Sequence, residues 1–211
     1  MRIYDEYKRI RYYFYDPILF PDEKNDKATG LLEYLEFYVN MSTIQMQRLH
    51  ADDQDIDRAY NETGSNSKDT LVAFTKYFGD IHFCLICLDK VYKLAYELAE
   101  YLQDPVLISI VQNYSKLDNY RRARNALEHM EEKIIKTNWF RSEFGRVSND
   151  TLTLNKTEFK IDISTLEPVY SLYDEFIKRF NELIEPRKPE IDKVWSAFKI
   201  GMGLSEDSAL E

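Results

Sequence analysis

Cysteine, glycine, proline and histidine are all scarce in this chain of 211 residues, which holds 2 Cys, 6 Gly, 6 Pro and 3 His. Two cysteines give no disulfide framework, so the cytoplasm is the expected setting. Few glycines and prolines leave few tight turns, which favours long helices. Zinc needs about four ligands. Cys84 and Cys87 form a C-x-x-C, but only His50, His82 and His129 could complete it. The pair lies in an apolar helical run and reads as two buried small side chains, with His82 beside them as a core or interface residue. No glycine-rich phosphate loop or dinucleotide fingerprint occurs, and no acidic spacing marks a two-metal nuclease. No metal and no cofactor are expected. The longest apolar run, Ile81 to Leu88, is far too short to span a bilayer. The opening MRIYDEYKRIRYYFYD has no apolar signal core, so neither a membrane anchor nor a secretory signal is expected.

Positive charge is also in deficit. The net charge is −9 and the isoelectric point is near 5.0. A general nucleic-acid or membrane binder would be basic, so any such contact here must be a small local site. What the chain does have is 44% apolar residues and an aromatic share of 14%, with 16 Tyr and 12 Phe. That is enough for one buried core.

Periodicity predicts a mainly α fold: a helical bundle of four to five helices with a small antiparallel β-insertion before the last core helix. Residues 1–27 read as an aromatic arm in which Pro17 and Pro21 stop any regular element. Its run Arg9-Ile10-Arg11-Tyr12-Tyr13-Phe14-Tyr15 could stack bases; packing onto the bundle or across a dimer is the favoured reading. The bundle should cover 28–185. A first helix spans Thr29 to about His50, with Leu31, Leu35, Tyr38 and Val39 inward. Residues 51–69 are polar and read as a long loop. A second helix spans Thr70–Leu102, with Leu71, Phe74, Phe78, Ile81, Leu85, Leu88, Tyr92, Ala95 and Leu98 in its apolar repeat. Asp104-Pro105 opens a third that should continue to about Lys136. Short alternating segments at about 144–163 predict two or three strands, with turns at 148–150 and 155–156. A last core helix runs from about Ser164 to Glu185, with Leu166, Val169, Tyr173, Phe176, Ile177 and Phe180 inward. Residues 186–211 should form a helical tail around Val194–Ile200 and a disordered acidic end.

The third helix carries the most informative residues, Arg124-Asn125-Ala126-Leu127-Glu128-His129. An arginine can hold a phosphate and a histidine can move a proton, which is what metal-free RNA cleavage requires. At ~100° per residue, Tyr120, Ala123, Leu127, Met130 and Ile134 share a stripe. Asn125 and His129 are each rotated about 200° from Leu127, onto the opposite, polar face. They are i,i+4 neighbours there. Arg121, Arg122, Glu132 and Lys136 share that face, with Arg124 at its flank. Glu128 and Glu132 could set the histidine tautomer; pairing with Arg121 and Lys136 is the preferred reading. Arg121 and Arg122 could widen a phosphate site or form a solvated face.

In these residues the chain resembles the HEPN superfamily, helical bundles marked by an arginine, a polar residue directly after it, and a histidine four to six residues on. Arg124 and His129 enclose four residues, Asn125 fills the polar position, and the segment looks like the RN-x-x-EH variety. The resemblance covers residues 28–185, mostly through helix pattern. It implies a metal-independent endoribonuclease acting on single-stranded RNA in a toxin, stress or phage-defence role. It also implies a homodimer in which two copies of the motif face one cleft. Arg124, Asn125 and His129 would be the catalytic set, with Arg121, Arg122 and Glu128 at the substrate. A cognate antitoxin or inhibitor is a possible partner. HEPN toxins paired with a minimal nucleotidyltransferase antitoxin carry a tyrosine two residues after the histidine; here that position is Glu131, which argues against such a pairing. Two other readings stay open. One is a non-catalytic bundle that uses the groove for a nucleotide or a protein; the other is an unrelated bundle bearing the motif by chance.

Overall fold

The computed structural model describes residues 2–16, 18–20, 25–65, 67–129, 146–148, 151–154 and 157–201. Within them the chain is mainly α-helical with a small antiparallel sheet, as the periodicity predicts. The helices are α1 (Glu6–Ile10), α2 (Asn25–Thr63), α3 (Lys68–Leu102), α4 (Pro105–Asn113), α5 (Asn119–Glu128), α6 (Leu166–Ile184) and α7 (Lys188–Gly201). The strands β1 (Arg146–Ser148), β2 (Thr151–Leu154) and β3 (Thr157–Lys160) pair in sequence order.

α2 and α3 form a long antiparallel hairpin that is the spine of the bundle. Residues 51–69, expected as a loop, instead continue α2 to Thr63. The inward repeat does not stop at Leu49. Asp52 and Ile56 take the next positions and both are buried. Asp52 is tolerated there because the Lys76 ammonium on α3 pairs with it. Gly64 ends the helix in the left-handed region at φ +83. Ser67 then caps α3, its hydroxyl accepting from the Thr70 N–H at 3.0 Å.

Along α3 the residues from Ile81 to Leu98 in the expected repeat are buried or half-buried. Leu71 and Phe74 are not; they are 66% and 50% exposed. They sit near the hairpin tip, beyond the other helices. α3 is long and apolar enough to cross a bilayer by length and composition, yet it lies at the centre of the bundle and buries Asp80 and Asp89.

The expected third helix is interrupted. α4 ends at Asn113, a 3-10 turn covers Ser115–Asp118, and α5 begins at Asn119. Neither proline nor glycine marks the break. The segment Asn113, Ser115, Asp118 and Asn119 is rich in residues whose side chains compete for the backbone, and the turn places Leu117 in the core.

The sheet packs its Leu152–Phe159 pair inward; those two residues face each other across β2 and β3 and are buried. β3 stops at Lys160, and Ile163, expected in a strand, opens a 3-10 turn leading into α6. Ser148, expected in the turn at 148–150, instead ends β1 and pairs with Thr151; residues 149–150, the turn expected at 155–156 and the acidic end fall outside the described residues. α6 supplies the densest part of the core, with Leu166, Val169, Tyr173, Phe176, Ile177 and Phe180 all buried as expected.

The aromatic arm is helical rather than irregular: α1 runs into a 3-10 turn at Arg11–Tyr15. It packs onto the bundle. Phe14 is fully buried, stacks on Phe20 at 4.5 Å and meets Phe180 at 5.2 Å. Asn40 on α2 brackets the arm, accepting from the Tyr4 N–H at 2.8 Å and donating to its carbonyl at 2.9 Å. The tail helix α7 docks on the arm in turn, through Tyr12 against Trp195 and a Tyr13–Asp192 hydrogen bond.

Candidate functional site

α5 is an amphipathic helix of 10 residues. Its apolar stripe is the expected one: Ala123 and Leu127 are buried and Tyr120 is half-buried, against α3 and β3. Met130, Glu131, Glu132, Ile134 and Lys136 lie outside the described residues. On the opposite side Arg121, Arg122, Asn125, Glu128 and His129 are exposed. His129 is the C-cap, with φ −105 and ψ 26. Its N–H donates to the Asn125 carbonyl at 3.0 Å, which keeps the two residues on one side of the last turn.

Arg124 behaves differently from its neighbours. Its side chain is 21% exposed and points to α3, where the carboxylate of Asp89 accepts from Nη1. Nη2 donates to Asn125 Oδ1 at 2.8 Å. Nε lies 3.3 Å from Glu128 Oε2 without aiming its hydrogen at an acceptor. Among the described residues, Nη1 and Nη2 each use one of their two N–H groups in these bonds, so each keeps one for another acceptor.

Asp89 is the functional neighbour that pattern reading misses. It is 2% exposed. Burial pushes its carboxyl above the ordinary range, and the charge of Arg124 opposes that rise. A signal for it exists in the sequence: an acid inside the apolar run Ile86-Cys87-Leu88-Asp89 needs a cationic partner if it is buried. Nothing local says which cation.

The pairing pattern on α5 also differs from the expected one. Glu128 pairs with Arg124, not Arg121, and Arg121 pairs with Asp118 at 2.9 Å. Among the described residues Arg122 makes no ion pair, unlike Arg121 and Arg124.

Cys84 and Cys87 are fully buried free thiols. Burial pushes both up, Cys87 to about 12, so neither is a thiolate at neutral pH. Among the described residues no three His, Cys, Asp or Glu side chains gather into a metal-holding group. No protein-family model matches the chain, and no characterised protein or solved structure shows detectable similarity to it.

Proposed function

We propose that this protein is a metal-independent endoribonuclease of the HEPN type, acting on single-stranded RNA in the cytoplasm in a toxin, stress or phage-defence role. The observation that carries the reading is the last turn of α5. Arg124, Asn125 and His129 lie together there, and the guanidinium is fixed by Asp89 from the core side.

The ribose 2′-hydroxyl attacks the adjacent phosphorus and the P–O5′ bond breaks. The products are a 2′,3′-cyclic phosphate and a 5′-hydroxyl. The proton leaving the 2′-oxygen goes to an imidazole, and the departing 5′-oxygen receives one from an imidazole. Imidazole suits both roles near neutrality. The two remaining N–H groups of Arg124 would bind the phosphate and stabilise the charge that grows on it. Asn125 would orient Arg124, and Arg122 would extend the phosphate site. The motif supplies one histidine per chain, so acid and base come from two protomers of a homodimer whose α5 faces meet across a two-fold axis.

A second reading has its own support. Two carboxylates, Asp89 and Glu128, already neutralise Arg124. That favours a non-catalytic module whose polar α5 face binds a nucleotide or a protein partner.

Cleavage of a labelled single-stranded RNA in EDTA, by wild type and His129→Ala side by side, decides between them. Wild-type cleavage that leaves a cyclic phosphate, absent in the variant, supports the nuclease. Equal activity in both preparations rejects His129 as its catalytic residue.

A further inference from the structure

An open pocket of about 380 Å³ lies between the start of α5, the end of β3 and the start of α6. That volume falls within the roughly 300–1,000 Å³ typical of small-ligand sites. Tyr120 belongs to its wall and shares the apolar side of α5 with Leu127. The pocket is therefore on the other side of that helix from His129, and a ligand there is independent of the nuclease reading.

Its chemistry is specific. The half-buried ring of Tyr120, backed by the buried Phe159 with centroids 6.4 Å apart, forms an aromatic wall. Lys116 and Lys160 stand at the lining, both exposed, and neither makes an ion pair among the described residues. In a chain of net charge −9, where most arginines already face a carboxylate, two ammonium groups on one pocket with no carboxylate partner among the described residues are distinctive. Glu158 on the rim offers a carboxylate, which suits neutral hydroxyls rather than a second anion.

The walls are pre-formed. The Tyr120 hydroxyl and the Thr165 hydroxyl both donate to the Lys160 carbonyl, at 3.2 and 3.1 Å. These two bonds tie the end of β3 to the starts of α5 and α6, so the site needs little ordering on binding.

An aromatic ring, two cations and a hydroxyl acceptor match a ligand with a planar ring, a phosphate and a sugar. We infer that this pocket is a nucleotide-binding site: the base lies against Tyr120, the phosphate between Lys116 and Lys160, and the ribose hydroxyls at Glu158. The nucleotide could be free or belong to an RNA strand.

The test is calorimetric titration of the full-length His129→Ala protein, which keeps RNA intact whether or not the wild type cleaves it. The probes are AMP, GMP, CMP, UMP, a single-stranded hexaribonucleotide and inorganic phosphate. Saturable binding of at least one mononucleotide assigns a free nucleotide; binding of the hexamer alone assigns a strand. In either case Lys116→Ala/Lys160→Ala should weaken binding at least tenfold. The lysines are exposed, so the double variant should keep the wild-type melting temperature. The inference is overturned if no nucleotide or hexamer binds, if the lysine variant binds as wild type does, or if inorganic phosphate binds as tightly as the nucleotides.

Discussion

The carboxylate of Asp89, midway along α3, holds the guanidinium of Arg124 on α5 across the helix interface. The acid is buried and the arginine is one-fifth exposed, so water screens the pair little. Removing one partner of such a pair leaves an uncompensated charge, a loss of roughly 3–5 kcal/mol when fully buried. With Arg124 partly in water, Asp89→Ala should cost about 2–3 kcal/mol of unfolding free energy in urea. Asp89→Asn keeps an oxygen that can accept from Nη1 and should cost less. If Arg124 contacts the scissile phosphate, Asp89→Asn should also lower kcat for RNA cleavage more than it raises KM, because the guanidinium loses its fixed orientation. An unchanged urea midpoint in Asp89→Ala would reject the pair as a structural support.

A second buried acid on α3 predicts an unusual pH dependence. Asp80 faces Asp52 of α2, whose Oδ2 has no other donor, and Arg48 lies 2.8 Å away. Burial raises the Asp80 carboxyl above its ordinary 3.8, the shared hydrogen bond with Asp52 raises it further, and Arg48 only partly opposes this. A raised folded value means that the native state holds the proton more tightly than the unfolded chain does. The resulting stabilisation is fully present below about 4 and is lost as pH rises through the folded value. Asp80→Asn supplies a permanent donor to Asp52 that persists at higher pH, and the pair it gives up is with the half-exposed Arg48, where solvent screens the charge. Its melting temperature at pH 7 should exceed that of wild type by about 2–4 °C, and the gap should close near pH 4. A lower melting temperature at pH 7 would contradict this.

The parts of the molecule that the sequence makes legible are those governed by one local rule. The apolar stripe of α6, the buried Ala123 and Leu127, and the alternation that pairs Leu152 with Phe159 all come from periodicity. The placement of Arg124, Asn125 and His129 relative to Leu127 comes from helix geometry. What stays hidden depends on partners distant in sequence. Asp52 looks like a loop residue until Lys76 of the next helix covers it, and so α2 is longer than its composition suggests. Leu71 and Phe74 fit the repeat of α3, but the other helices do not reach that far along the hairpin. Arg121, Arg124 and Glu128 each have several candidate partners one turn away, and Asp89 settles the choice from another helix.

Besides Asn40, one acid ties the arm to α2. Glu36 on α2 accepts from the Tyr7 N–H at 2.8 Å and from the Tyr173 hydroxyl. Tyr173 is fully buried, and burial, with Glu36 beside it, pushes its phenol far up. Glu36→Ala strands both donors, each worth about 1–3 kcal/mol when left unsatisfied. A total loss of about 2–4 kcal/mol is expected by urea unfolding. The arm should also loosen first, so trypsin should cut at Lys8, Arg9 or Arg11 several times faster than in wild type. Glu36→Gln, which retains an acceptor, should lie between the two. Equal trypsin rates for wild type and Glu36→Ala would show that Glu36 does not hold the arm.

Asp104 has the opposite pH behaviour to Asp80, although both acids meet an arginine on a neighbouring element. It caps α4, accepting from the Val106 and Leu107 N–H groups at 2.8 and 3.0 Å. Arg179 of α6 donates to its other oxygen through Nε at 3.1 Å and Nη2 at 2.8 Å. Burial alone would raise its carboxyl, but the bonds from Arg179 and from those two amides outweigh burial and hold it below the ordinary 3.8. A depressed folded value gives stability that is present above the unfolded value and lost as pH falls through the folded one. Asp104→Asn preserves a capping oxygen and removes the charge that Arg179 meets. It should therefore cost about 1–2 kcal/mol at pH 7, and that deficit should shrink below about pH 4, where wild type begins to lose the same charge. Urea unfolding of the two proteins at pH 7 and pH 3 reads this directly. A deficit equal at both pH values would mean that Asp104 acts through its cap alone and that the Arg179 pair contributes nothing to joining α4 and α6.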